Sequence, residues 1–348
     1  MKVRIILITV FATLLGLVSC DTKPKANDDI ILPPPIKGSI MMVNEGNFQF
    51  GNSSLTVYDF NKDIIYPDVF EKTNNRKLGD VFQSVTVAYG KAYLVVNNSQ
   101  KIEVVDPENY QSIATITGFR SPRYMLAVSP TKAYVTEYYC NQIRIVDLNT
   151  HTITDSIRMD GWMDEMVLLN NKVYVTNLKK NYILGIDIAT NAITDTIKCA
   201  YGSIGIQVDA NNKIWVLCNG DMTRSIHPAL QRLNPISNTV EQNFPLNFSE
   251  MNVSRLRMNN AKTKLYWLSK HVFVMGIADQ VVATKPLVMA GNQNFYGLGV
   301  DPKTNELYVS DVKDFVQQSV VYRYRSSGSL IGDFKAGLIT GGFYFYYP

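Results

Sequence analysis

The sequence predicts an all-β chain folded as a seven-bladed propeller, each blade four antiparallel strands, with the last strand of the chain completing the first blade. Three observations carry this. The 348 residues include 20 Tyr and 15 Phe at 46% apolar content, and ring and branched side chains fit a pleated surface. A strand-like run with an aromatic residue in its second or third place recurs as KAYLVVNN (91–98), KAYVTEYY (132–139), KVYVTN (172–177), KIWVLCNG (213–220), KLYWLSKH (264–271) and ELYVSD (306–311), with SIMMVNEG (39–46) as a seventh copy. The steps between Met41, Tyr93, Tyr134, Tyr174, Trp215, Tyr266 and Tyr308 are 52, 41, 40, 41, 51 and 42 residues. Such a period, built from strands alone, marks a ring of sheets in which no sheet buries both faces by itself.

Each repeat supplies the other strands of a blade. Before the aromatic run lies a small apolar strand ending in a turn, as in MLAVSPT (125–131), GIQVDAN (205–211) and GLGVDPK (297–303), which is the innermost strand. After it come alternating runs such as KIEVVDPENYQSIATI (101–116), QIRIVDLNTHTITDSI (142–157) and YILGIDIATNAITDTI (182–197), each a hairpin of third and fourth strands bending at Asp106, Asp147 or Asp187. An Asp at a bend hydrogen-bonds the backbone ahead of it, so these acids are structural. Residues 39–70 offer a second, third and fourth strand but no inner one, while GGFYFYYP (341–348) is an inner strand without a successor. Joining the two closes the ring, removes the free edges and makes 38–348 one domain.

The formal charge is +4, and +2 without Lys2 and Arg4, too little to attract nucleic acid. Residues 1–19 read as a signal peptide, with Lys2 and Arg4 before an apolar run from Ile5 to Val18. Leu17-Val18-Ser19-Cys20 resembles the lipobox of bacterial lipoproteins, which implies a diacylated Cys20 and a protein anchored to a membrane by lipid alone. Residues 20–37 are polar and Pro-rich and read as a tether that pairs with nothing. Asp21 suggests inner-membrane retention, whereas Asp28-Asp29 resembles a surface-export signal, and the outer surface is the favoured expectation. Cys140, Cys199 and Cys218 lie on distant segments without metal-ligand spacing, which points to buried free thiols, with one disulfide and a spare thiol as the alternative.

Catalytic groups do not converge in the sequence. His151 falls in a hairpin bend, His227 in a long loop and His271 beside Lys270, each read as a solvated loop residue. Glu45, Glu165 and Asp311 are the candidates for an oxygen-ligand cation ring, but no other acid joins them at matching positions in the repeats. GxSxG, P-loop and dinucleotide motifs are missing. The expectation is a binding protein and not an enzyme, with no metal and no cofactor.

In a propeller one face is built from the loops after the second strands and the loops leading into the inner strands. The first set holds Asn44, Glu45, Phe48, Tyr138, Tyr139, Asn177, Lys179, Asp311, Lys313 and Phe315; the second holds Phe82, Gln83, Arg123, Tyr124, Trp162, Tyr201, Arg255, Phe295 and Tyr296. Rings supply contact area at little entropic cost and amides supply hydrogen bonds, so these residues form the candidate ligand face.

The run VYVTN (173–177), followed by the turn Ile186-Asp187 to Thr190-Asn191, resembles the YVTN-repeat (YncE-like) propellers over about nine tenths of the chain. With the lipobox, the tether and the segment 309–337, the chain is similar to surface lipoproteins of anaerobic diderm bacteria. Some of that type capture cobalamin for an outer-membrane transporter. The resemblance therefore implies a monomeric, lipid-anchored, cell-surface protein that binds cobalamin or another corrinoid and delivers it to a TonB-dependent transporter. A protein- or glycan-binding scaffold or adhesin is the first alternative, and a propeller lactonase or lyase the second.

The lipobox reading has a direct test. Cys20→Ala should leave the propeller folded but abolish acylation, because only this thioether carries the acyl chains. A variant that still incorporates labelled palmitate and partitions into detergent refutes it.

Overall fold

Each repeat folds into one antiparallel sheet whose strands run outward from the axis in chain order. The structure, a computed structural model, describes residues 25–26, 38–247 and 253–348. Cys20, the signal peptide and most of the tether lie outside the described residues. Blade 2 shows the plan, with an inner strand Phe82–Ala88, a second strand Lys91–Val96, a third Lys101–Val105 and an outer Ser112–Ile116. Blades 3, 4, 5 and 7 repeat it from inner strands Pro122–Ser129, Met163–Leu169, Ser203–Val208 and Phe295–Val300.

The ring closes as the sequence predicts. The inner position of blade 1 is filled by Thr340–Tyr346, which pairs antiparallel with Ser39–Asn44, matching Met41 to Tyr344 and Val43 to Gly342. Three details differ. Among the described residues blade 6 has three strands, Ser254–Met258, Lys264–Ser269 and His271–Gly276, and its fourth position is marked by a bridge from Val272 to Val288. A six-residue helix, Val69–Asn74, leads from blade 1 towards blade 2, and Asn74 Nδ2 fastens it to the Tyr110 carbonyl (3.0 Å). The backbone of Lys25–Ala26 pairs in parallel with Ile64–Ile65 on the outer edge of blade 1, so the tether is not wholly unpaired. An unprotected strand edge offers a ladder to any extended chain beside it.

The hydrophobic core is seven seams, one between each pair of neighbouring blades. Met41, Tyr93, Tyr134, Tyr174, Trp215, Tyr266 and Tyr308 each sit in a different seam, and none is more than 3% exposed. Their spacing was the sequence signal, and each plugs the gap to the next blade. The buried phenol of Tyr134 reaches across its seam to donate to Asn191 Oδ1 (2.6 Å). The bends behave as expected: Asp106, Asp147 and Asp187 each accept two backbone N–H groups, at 2.8 and 3.1, 2.8 and 2.9, and 3.1 and 2.9 Å. Those bonds hold the carboxyls of Asp147 and Asp187 below their ordinary pKa.

Closure makes the last strand a keystone. Removing residues 340–348 takes the inner strand from blade 1 and bares the faces that Phe343 and Phe345 cover, and should abolish cooperative unfolding. Removing residues 21–36 loses one short parallel pairing and should cost about 1 kcal/mol or less. Equal melting temperatures for the two truncations, followed by circular dichroism, contradict this closure.

Candidate functional site

All seven inner strands slip register near their first residues. The slips fall at Gln83, at 123–124, at 164–165, at Ile204, at 255–256, at Tyr296 and at Gly341. A bulge leaves a residue out of the ladder and re-aims its side chain. A bulge near the start of each inner strand therefore brings side chains from six blades, and Gly341 from blade 1, to the mouth of the central funnel. Here the funnel holds a cavity of about 280 Å³, whose walls include Arg123, Tyr124, Tyr138, Asp164, Glu165, Ile204, Arg255 and Tyr296.

The charges in this mouth are matched. Arg123 Nε donates to Asp164 Oδ1 (3.0 Å), and its Nη1 donates to Gln83 Oε1. Arg255 Nη2 meets Glu45 Oε1 at 3.2 Å, and the Tyr296 hydroxyl donates to the other oxygen of Glu45 (2.9 Å). Deeper, Arg257 Nη1 donates to Glu165 Oε1 (2.9 Å) and the Ile206 N–H to Glu165 Oε2 (3.4 Å). Three cations face three anions. Burial disfavours the charged forms of Arg123 and Arg255, but Asp164 beside the first, and the phenols and Glu45 around the second, outweigh it and raise both pKa values. Burial, reinforced by Asp164, pushes Tyr124 up to about 12 and raises Tyr138, while burial and Glu45 raise Tyr296. The three phenols keep their protons at neutral pH and remain donors.

Aromatic groups flank the mouth. Tyr138, Tyr139 and Trp162 form one cluster, with centroids 5.4 Å apart for Tyr138–Trp162 and 4.4 Å for Tyr139–Trp162. Cations cover it: Arg123 lies 4.2 Å from the Tyr138 ring and Lys179 4.3 Å from Trp162. Tyr201 carries Arg224 at 3.9 Å. In the adjoining loops of blades 1 and 7, Phe48 and Phe315 are 61% and 41% exposed, the second packed edge-on against Tyr296 at 5.9 Å.

Glu45, Phe48, Gln83, Arg123, Tyr138, Trp162, Tyr201, Arg255 and Tyr296 thus stand in or around one mouth. Phe82, Asn44, Asn177, Asp311 and Lys313 do not. Phe82 is fully buried in the seam between blades 1 and 2, because the bulge after it turns Gln83 and not Phe82 to the axis. Asn44, Asn177 and Asp311 are buried brackets at the tops of second strands. Asn44 Oδ1 accepts from the Thr340 hydroxyl (2.7 Å), Asn177 Oδ1 from the Trp162 N–H (3.2 Å) and Asp311 Oδ1 from the Asn294 N–H (2.9 Å). Loop backbone turned inward needs such acceptors. Lys313 is tied to Asp311 Oδ2 (2.7 Å). His271 is buried and not solvated, its Nδ1 accepting from the Ala290 N–H (3.1 Å). Glu45, Glu165 and Asp311 do not converge, and among the described residues no three His, Cys, Asp or Glu are placed to share a metal ion.

Sequence reasoning missed Asp164, Ile204, Arg257 and Gly341. Asp164 and Ile204 stand ten and eleven residues before Tyr174 and Trp215, the offset that also selects Gln83, Arg123 and Arg255. Aligning the repeats on their aromatic residue would have found both.

These features define a class: a closed seven-bladed propeller with a charge-balanced, aromatic-flanked funnel on one face. The chain belongs to the family described as a domain of unknown function (DUF5074), whose profile matches residues 37–348. No curated protein matches it. Among solved structures it is similar to a quinonprotein alcohol dehydrogenase-like protein of Bacteroides thetaiotaomicron, at 15% identity and TM-score 0.71 over 89% of this chain and 78% of that one. A Bacteroides fragilis protein provisionally described as a 6-phosphogluconolactonase matches at 10% identity and TM-score 0.67, over 89% and 98%. Dihydro-heme d1 dehydrogenase NirN, in complex with DHE, matches at 7% and 0.59, over 88% and 74%. Enzymes are among these neighbours, and identities this low show the fold alone.

The mouth depends on a missing side chain. A Cβ at Gly341 would lie 2.0 Å from Glu45 Oε1 and 3.0 Å from Arg255 Nη2. Gly341→Ala should displace that ion pair and destabilise by about 2–3 kcal/mol. Gly51→Ala, at φ +59 but in open space, should cost about 1 kcal/mol. Urea denaturation of both variants checks the order, and equal costs count against the packed mouth.

Proposed function

We propose that this is a ligand-capture protein that holds a bulky, polar small molecule of no net charge over the funnel, with cobalamin or another corrinoid as the candidate. The observation that carries the reading is the matched set of Arg123, Arg255 and Arg257 against Glu45, Asp164 and Glu165. A ligand carrying an unpaired charge would leave this desolvated mouth unbalanced. Amide groups can accept from guanidinium and phenol donors without doing so. The side arms of a corrinoid ring are amides, and its breadth suits a face whose rings stand on opposite sides of the mouth. The cavity lies near the lower end of the roughly 300–1,000 Å³ common for ligand pockets. A bulky ligand would cover the mouth and send one arm down.

Anchorage through Cys20 at the outer surface and delivery to a TonB-dependent transporter belong to the same proposal, supported by the leader and the family resemblance. A second reading, a face that binds protein or glycan, is favoured by Phe48, Phe50, Phe315 and Val316, exposed by 61%, 75%, 41% and 72% in adjoining loops.

Calorimetry with cyanocobalamin should give one-to-one binding that EDTA does not change. Trp162→Ala and Tyr201→Ala should each weaken it by on the order of 1–3 kcal/mol, and Asp187→Ala should leave it intact if folding survives. Neither heat nor a spectral shift at high micromolar ligand eliminates the corrinoid and moves the protein-binding reading ahead.

A further inference from the structure

Two of the three thiols among the described residues lie together in one seam. Cys199 follows the outer strand of blade 4, Ile193–Lys198, and Cys218 ends the second strand of blade 5, Ile214–Cys218. Both are buried in the hydrophobic cluster between these blades, together with Ile197, Ile206 and Val216. The neighbouring Cys199 thiol, together with burial, pushes the Cys218 thiol well above its ordinary pKa, and Cys199 Sγ donates to the Ala200 carbonyl at 3.3 Å. Cys140 is outside this cluster, half-buried on a loop of blade 3.

We infer that Cys199 and Cys218 form a disulfide when the chain folds in the presence of a disulfide oxidant. Because the two cysteines face the same packed seam, side-chain torsion can bring their sulfurs to bonding distance with the sheets on either side left in place. The exchange runs in two steps. The thiolate of one cysteine attacks an oxidant R–S–S–R and expels R–S⁻, leaving a mixed disulfide. The thiolate of the other then attacks the cysteine sulfur of that mixed disulfide and expels a second R–S⁻. Two protons from the cysteines end on the two leaving thiolates, and the two cysteines have lost two electrons to the oxidant. Cys218 is fully buried and Cys199 only 9% exposed, so the bond forms during folding and is afterwards shielded from reductants.

The bond has a structural consequence beyond the proposed binding function. Residues 199–202 carry Tyr201 to the rim, and Cys199, Tyr201, Lys179 and Arg224 line one cleft there. A covalent tie at Cys199 holds the base of this segment against blade 5 and fixes the Tyr201 ring in place.

The test is independent of any ligand. The full-length chain is reduced, unfolded, refolded with oxidised and reduced glutathione, then acid-quenched, denatured, alkylated without reductant and digested with trypsin. Mass spectrometry should recover residues 199–213 and 214–224 as one linked species that separates on reduction, with Cys140 alkylated. Cys140→Ser should give the same linked species. Cys218→Ser should render Cys199 alkylatable, and refolding without oxidant should leave both thiols alkylated. Alkylation of Cys199 and Cys218 after oxidative refolding, or a link from either to Cys140 as the main product, overturns the inference.

Discussion

A four-stranded sheet with apolar residues on both faces exposes too much of itself to stand alone, and this ring answers by driving one large side chain from each blade into the seam with the next. Six of the seven plugs are Tyr or Trp, each accompanied by aliphatic residues from both blades. Burying 150–250 Å² of ring at about 25 cal/mol per Å² is roughly 4–6 kcal/mol of gross transfer free energy per seam. No seam is complete without both neighbours. The seam between blades 7 and 1 joins Tyr308 to Phe343 and Phe345 of the last strand, at 6.2 and 5.4 Å between centroids, so the stability of every blade is tied to the end of the chain.

The fold was legible because one seam is written seven times. Strand alternation and the position of the plug repeat with it, and the register of blade 1 against Thr340–Tyr346 follows once an inner strand is seen to be missing at one end and surplus at the other. What did not repeat was not legible. The helix Val69–Asn74 spans fewer than two turns, too short for a 3.6-residue period to stand out. Blade 6 departs from its neighbours because residues 277–290 meet the third strand at one bridge and not along a ladder.

The site was only partly legible, for a related reason. Alternation assigns a face to every residue of a strand, and a bulge inverts that assignment at one point. Phe82 and Gln83 exchange places in this way, and Asp164 stays hidden because nothing in its immediate neighbours announces the slip. The tops of the second strands raise a different ambiguity. Asn44, Asn177 and Asp311 read as polar loop residues, and a polar side chain that brackets an inward-turned backbone has the same signature as one that waits for a ligand. Only the partners of their oxygens distinguish the two roles.

The mouth itself is organised by chords and not only by neighbours. Arg255–Glu45 runs from blade 6 to blade 1, past blade 7, and Arg257–Glu165 runs from blade 6 to blade 4, past blade 5. Both chords begin on the inner strand of blade 6, the blade with the least sheet behind it, and Arg255 sits there at φ +56, a backbone state a side-chain-bearing residue adopts only when its surroundings hold it. Each ion pair has lost much of its water, so breaking one would strand a buried charge. A ligand that had to displace Glu45 or Glu165 would meet that cost. One that accepts from the remaining guanidinium and phenol N–H and O–H groups would find its partners already fixed, and so lose less freedom on binding. The same ion pairs that brace the funnel thus favour a neutral ligand over an anionic one.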